Sequence, residues 1–191
     1  MAKTTFAFEQ QSAFESKAGV AANMLRKMPV TGTLDVMQGD STRYMYLCLG
    51  SSNHINGTVH HGEDVVASVG SFDVSRMYRS RGIGAKLLMS FVAQLKDMEV
   101  TDLYSDSVSS LAIATRMRVF GKDCLQFYDT DYPDYTELPL DCEQAIATNE
   151  RLREARSTDT CLSGGGNLGV YVDLRNVDTS NWPRPILTVR K

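Results

Sequence analysis

A chain of 191 residues, 42% hydrophobic and 23% charged, is long enough for one domain with a sizeable core and too apolar to be disordered or fibrous. Its net charge of −3, from 23 acidic against 20 basic side chains, argues against broad nucleic-acid binding, which needs a basic face and many phosphate contacts. No apolar run approaches the ~20 residues that span a bilayer, so no membrane partner is expected.

The first residues, Met1 to Glu9, carry one lysine and no long apolar stretch. No secretory signal is expected, and a cytoplasmic location is the simplest. From about Glu9 to Met28, Ala13, Phe14, Ala18, Ala21, Leu25 and Met28 mark the apolar face of one or two helices, which Pro29 stops. Strand candidates follow at Thr33–Met37, closed by Gly39-Asp40, and at Arg43–Leu49, bounded by Gly50-Ser51-Ser52-Asn53. Ile55–His60 is expected to pair with the second across that turn. The chain thus opens with a helix and continues as an antiparallel meander.

Asp64–Val74 reads as a further strand, rich in small and β-branched residues. After it, Ile83, Leu87, Leu88, Phe91, Leu95 and Met98 recur at helical spacing with one apolar face. Between strand and helix lies Arg79-Ser80-Arg81-Gly82-Ile83-Gly84-Ala85. The first N–H groups of a helix have no intrahelical partner and sit at the positive end of its dipole, so this junction is built for an anion. Gly82 and Gly84 remove Cβ atoms that would hold a phosphate away, and Arg76, Arg79, Arg81 and Lys86 add a local basic groove. Two rival phosphate motifs are excluded: Leu87 stands where a third glycine would complete Gly-x-Gly-x-x-Gly, and Gly-Lys-Ser/Thr is absent.

The remaining elements are a strand at Val100–Val108, a helix capped by Ser109 or Ser110 and ended by Gly121, and a strand at Cys124–Tyr128. Tyr132-Pro133-Asp134-Tyr135 and Pro139 interrupt the chain. Asp141 and Gln144 make a capping pair for a helix through Ile146, Leu152 and Ala155, whose charged run Glu150–Glu154 reads as a solvated face. Ser163-Gly164-Gly165-Gly166-Asn167 is a loop, and Leu168–Leu174 with Ile186–Val189 reads as a last strand pair around Trp182-Pro183. Cys48, Cys124, Cys142 and Cys161 show no Cys-x-x-Cys pairing, and with His54, His60 and His61 they make no zinc set. Reduced thiols and no metal are expected.

The spacing Arg79-x-x-Gly82-x-Gly84 resembles the pyrophosphate loop, (Gln/Arg)-x-x-Gly-x-(Gly/Ala), of the GNAT N-acetyltransferases. Tyr78-Arg79 before it and Ala85-Lys86-Leu87-Leu88 after it extend the likeness. The order strand, loop, helix, strand, helix, strand over residues 40–130 also resembles that family's cofactor core. The resemblance implies a single α/β (α+β) domain over residues 1–191: a mixed, mostly antiparallel sheet flanked by helices, with residues 1–40 before the core and an extra C-terminal helix and strand pair over 131–191. It implies acetyl-CoA as co-substrate, its pantetheine arm between two splayed strands. Phe72 and Val74 would meet the arm through their backbone, Arg79, Ser80, Arg81, Gly82, Ile83, Gly84 and Ala85 would hold the pyrophosphate, and Ser109 or Ser110 would stand where many relatives carry a cofactor-contacting Asn. The partner would be an amine acceptor, a small molecule or a protein, with a homodimer left open.

One departure bears on catalysis. Many relatives carry a general-acid Tyr four residues before the Gly that ends the second helix, and here that position is Met117, which cannot donate a proton. Tyr128 on the next strand is the substitute, with a half-buried strand Tyr as its bland reading. Glu63, Asp73 and the histidines are the candidate bases. An alternative is a GNAT-fold module that binds coenzyme A or a partner protein with little or no catalysis.

Overall fold

Alternating apolar residues in short runs separated by Gly, Asn, Ser and Asp favour strands, and nine of them assemble into one sheet in a computed structural model. It describes residues 2–36, 41–106, 108–130, 136–158 and 168–191, with side chains in the first and last long helices limited to 15–27 and 142–151. The strands are β1 (Thr31–Val36), β2 (Thr42–Cys48), β3 (Asn53–His61), β4 (Val65–Val74), β5 (Asp102–Ser105), β6 (Leu125–Asp129), β7 (Glu137–Leu138), β8 (Leu168–Asp173) and β9 (Ile186–Arg190). Their order in the sheet is β7-β6-β8-β5-β4-β3-β2-β1-β9. Only β1–β9 and β4–β5 are parallel, so the sheet is mixed and mostly antiparallel. The helices are α1 (Ala2–Lys27), α2 (Ile83–Asp97), α3 (Ser110–Phe120) and α4 (Cys142–Thr158).

Helix α2 buries Ile83, Leu87, Leu88, Phe91, Val92 and Leu95 against the sheet, and these meet Met45, Leu47, Ile55, Val59, Ala67 and Leu103 in the core. Phe91 reaches β3 at Gly57, where a Cβ would lie 2.7 Å from its ring and 2.3 Å from the Ser68 carbonyl oxygen. Helix α1 is tied to α2 by Lys86, whose Nζ donates to the carbonyls of Arg26 and Met28 at 2.6 and 2.5 Å. These are terminal carbonyls that the helix cannot satisfy itself. Lys86→Met should therefore lower the free energy of unfolding by about 1–2 kcal/mol, measured by urea denaturation, since it removes charged hydrogen bonds from a partly exposed site.

Three expectations need correction. The opening helical segment is one helix starting at Ala2, and the strand expected over Val100–Val108 is confined to β5, because Val100 and Val108 leave the ladder to enter the core. The last two strands do not pair: β8 lies between β5 and β6, antiparallel to both, while β9 closes the far edge beside β1. Burial separates them, since Leu168, Gly169 and Val170 are all buried, as an interior strand requires, whereas Ile186 and Val189 are 62% and 55% exposed, as an edge allows. Asp141 and Gln144 do form the expected cap: Asp141 Oδ1 accepts from the Glu143 and Gln144 N–H groups, and Gln144 Oε1 from the Asp141 N–H. Tyr132–Tyr135, Cys161 and the Ser163–Asn167 loop lie outside the described residues.

Candidate functional site: a groove where two strands part

β4 and β5 pair only from Val66 to Val69, against Asp102 to Ser105. β4 continues to Val74 along β3, and among the described residues no strand pairs with its other edge beyond Val69. A bulge begins the departure: Gly70 is the extra residue between Val69, opposite Gly57, and Ser71, opposite Asn56. The Asn56 side chain fixes it, accepting from the Ser71 N–H at 3.0 Å and donating to Ser71 Oγ at 2.6 Å. At the strand's end buried Asn53 accepts from the Ser75 N–H at 3.0 Å and donates to the Leu49 carbonyl at 2.8 Å, so the β2–β3 turn holds the chain where β4 becomes the loop.

A groove of about 660 Å³ opens where the strands part. Phe72, Asp73 and Val74 form one wall, the Arg79–Ala85 loop one end, and α3 with Ile146, Asn149 and Glu150 of α4 the rest. Two helix N-termini converge on it, α2 through Gly82, Gly84 and Ala85 and α3 through Ser109 to Ala112. Their dipoles and unpaired N–H groups favour an anion between them. The loop turns through two left-handed residues, Ser80 (φ 58°) and Gly82 (φ 82°), the second being the N-cap of α2. A Cβ on Gly84 would stand 3.4 Å from Phe72 and Val74, so the glycine keeps the groove floor open.

The expected cofactor residues separate into two sets. Phe72, Val74, Arg79, Ser80, Gly82, Gly84, Ala85 and Ser109 line the groove. Arg79 donates through Nε to the Val74 carbonyl at 3.0 Å and faces Asp73 at 3.9 Å, which places its guanidinium at the loop. Ser109 caps α3, its Oγ accepting from the Ala112 N–H. Ile83 points into the core and is fully buried, leaving only its backbone for the site. Arg81 turns the other way, donating to the Met77 carbonyl at 3.3 Å, with its guanidinium against α1 at Gly19. Lys86 is occupied by the end of α1. The expected groove of four basic residues therefore keeps Arg79 and loses Arg81 and Lys86, and Arg76 does not line it.

Arg118 of α3 lines the groove and was missed by sequence reasoning, although Leu111, Ala114, Thr115 and Arg118 recur at helical spacing on the face opposite buried Ile113 and Arg116. Arg116 is 1% exposed, with its guanidinium over the Phe72 ring at 5.9 Å. It donates to Ser105 Oγ at 2.7 Å and to the Ala112 carbonyl at 3.2 Å, while its Nε has no partner. Burial pulls its pKa down to about 10, against a smaller upward pull from Tyr128. It remains a cation at neutral pH, directly behind the groove wall.

Tyr128 is 5% exposed and does not line the groove; its hydroxyl donates to Asp106 Oδ1 at 2.6 Å. Met117 packs against the core and accepts from the Gly121 N–H, fixing the count back from the terminal glycine. Of the candidate bases only Asp73 lines the groove. The chain matches no protein-family model and no curated protein sequence. No helix among the described residues is long and apolar enough to cross a membrane.

Proposed function

We propose that the protein is an acetyl-CoA-dependent N-acetyltransferase of the GNAT type, acting on a primary amine. The observation that carries this reading is the parting of β4 and β5 after four paired residues, with a groove along the freed edge ending at an Arg-x-x-Gly-x-Gly helix N-terminus. A freed strand edge offers backbone donors and acceptors to an amide-bearing arm, and the N-terminus of α2 with Arg79 and Arg118 suits a pyrophosphate. Acetyl-CoA supplies a thioester carbonyl for the amine to attack. The proton from the attacking amine is assigned to water, because Asp73 stands 3.9 Å from Arg79, at the pyrophosphate end. A thiol ionises more readily than an alcohol, so the positive end of α3 is assigned the leaving thiolate, with no tyrosine donor needed.

A binding module without efficient catalysis is the second reading. It is favoured by Met117 at the expected acid position and by the Tyr128 hydroxyl being committed to Asp106. Calorimetric titration with acetyl-CoA, then thiol release in the presence of a panel of primary amines, separates the two. Saturable 1:1 binding with amine-dependent release is the expected result; binding without release leaves the module, and no binding removes the transferase and leaves only a module for a partner protein.

A further inference from the structure

The sheet face turned away from α2 and α3 carries a cluster that the groove does not use. The β5–β8 register sets Tyr104 opposite Tyr171 and Asp102 opposite Asp173, all on that face, while Leu103 and Ser105 are buried on the other. Tyr104 remains 38% exposed. Its ring lies 5.1 Å from that of Tyr171, and Tyr128 meets it edge-on at 6.4 Å. A carboxylate stands at each end of this aromatic bed, each accepting from a tyrosine hydroxyl at 2.6 Å: Asp102 from Tyr171 and Asp106 from Tyr128. Asp102 and Asp106 are four positions apart, the second just past the end of β5, which for an extended chain is roughly 13 Å at ~3.3 Å per residue.

The charge here is unbalanced. Asp64, Asp102, Asp106 and Asp173 surround the rings; among the described residues Arg175 is bonded to Asp173 at 2.8 and 2.9 Å and also acts on Asp102, and Lys96 acts on Asp173. Burial, then the Asp102 contact, raises the Tyr171 pKa, and burial with the charges of Asp102 and Asp64 raises that of Tyr104. The rings stay neutral at physiological pH and keep their negative π faces.

We propose that this face binds an aliphatic chain carrying an ammonium group at each end, with its methylenes over Tyr104 and Tyr171 and its charges at Asp102 and Asp106. Aromatic faces attract cations and shelter methylenes from water, while a neutral chain of equal length brings no counter-charge to either carboxylate. The face borders the point where β4 and β5 part, since Tyr104 pairs with Ser68 one position before the last paired residues. Under the acetyl-transfer reading, on which this clause alone rests, the bound diamine is the acceptor.

Octane-1,8-diamine and octane-1,8-diol are the probes, titrated into the full chain without cofactor and followed by calorimetry and by NMR of the tyrosine rings. The diamine should bind, shift the Tyr104 and Tyr171 ring signals and weaken with added salt, whereas the diol should do none of these. Asp102→Asn, which keeps an acceptor for Tyr171, and Tyr104→Leu, at an exposed position, should each weaken diamine binding about threefold to tenfold. Equal binding of diol and diamine, unmoved ring signals, or unchanged affinity in both variants would overturn the proposal. A diamine that fails to bind while acetyl-CoA still titrates sinks this site alone; the converse sinks the acetyl-transfer reading alone.

Discussion

Replacing Arg79 and Arg118 together with alanine should lower acetyl-CoA affinity about 100-fold, since hydrogen bonds to charged groups contribute about 1.5–3 kcal/mol each and these sit at the low end. The low end applies because the Arg79 side chain is 47% exposed and water screens its charge. Neither residue enters the core, so circular dichroism and the urea midpoint should stay near wild type. Arg81→Ala is the contrast: its guanidinium faces α1 and the Met77 carbonyl, so stability should fall while affinity holds. Calorimetry on the three proteins decides the matter. Wild-type affinity in the double variant would remove the anion from this groove and with it the acetyl-CoA reading.

The largest expected effect on stability comes from a single methyl group. A Cβ on Gly169 would lie 2.2 Å from two ring carbons of Tyr128, which sits directly across from it in the β6–β8 ladder. The ring cannot yield easily, being 5% exposed and bonded through its hydroxyl to Asp106. Gly169→Ala should cost about 3–5 kcal/mol, combining overpacking with loss of a hydrogen bond to a carboxylate. Urea denaturation gives the number. Adding Tyr128→Ala should recover part of it, because the second change removes the atoms that the first one strikes. Strictly additive losses would mean that the ring does not lie over Gly169. The same variant should disturb the diamine face, of which Tyr128 forms one edge.

Much of the groove's loop end was legible in the chain because its determinants are local. The apolar period of α2, the glycines before it and the serine that caps α3 act within one or two helical turns, and the structure keeps each of them. The capping pair of Asp141 and Gln144 was readable for the same reason. Side-chain direction was less accessible. Arg79 and Arg81 are two residues apart in one loop, yet one faces the groove and the other α1, because left-handed Ser80 turns the backbone between them.

By itself, then, the sequence determined a mixed α/β fold, the order of most strands and helices, and a Gly-rich turn between β4 and α2; the start of α1, the ends of β5 and the short strand β7 escaped it. Only the tertiary structure decided that β8 enters the sheet between β5 and β6 while β9 goes to the opposite edge. Both are short apolar runs, and strand pairing is chosen by which partner edge is free and how much apolar surface is buried there. The tertiary structure also brought Arg118 and Glu150 to the groove, buried Arg116 behind Phe72 and stacked Tyr104 on Tyr171. Those neighbours are 32, 44 and 67 residues apart in the chain, and no local rule of spacing reaches that far.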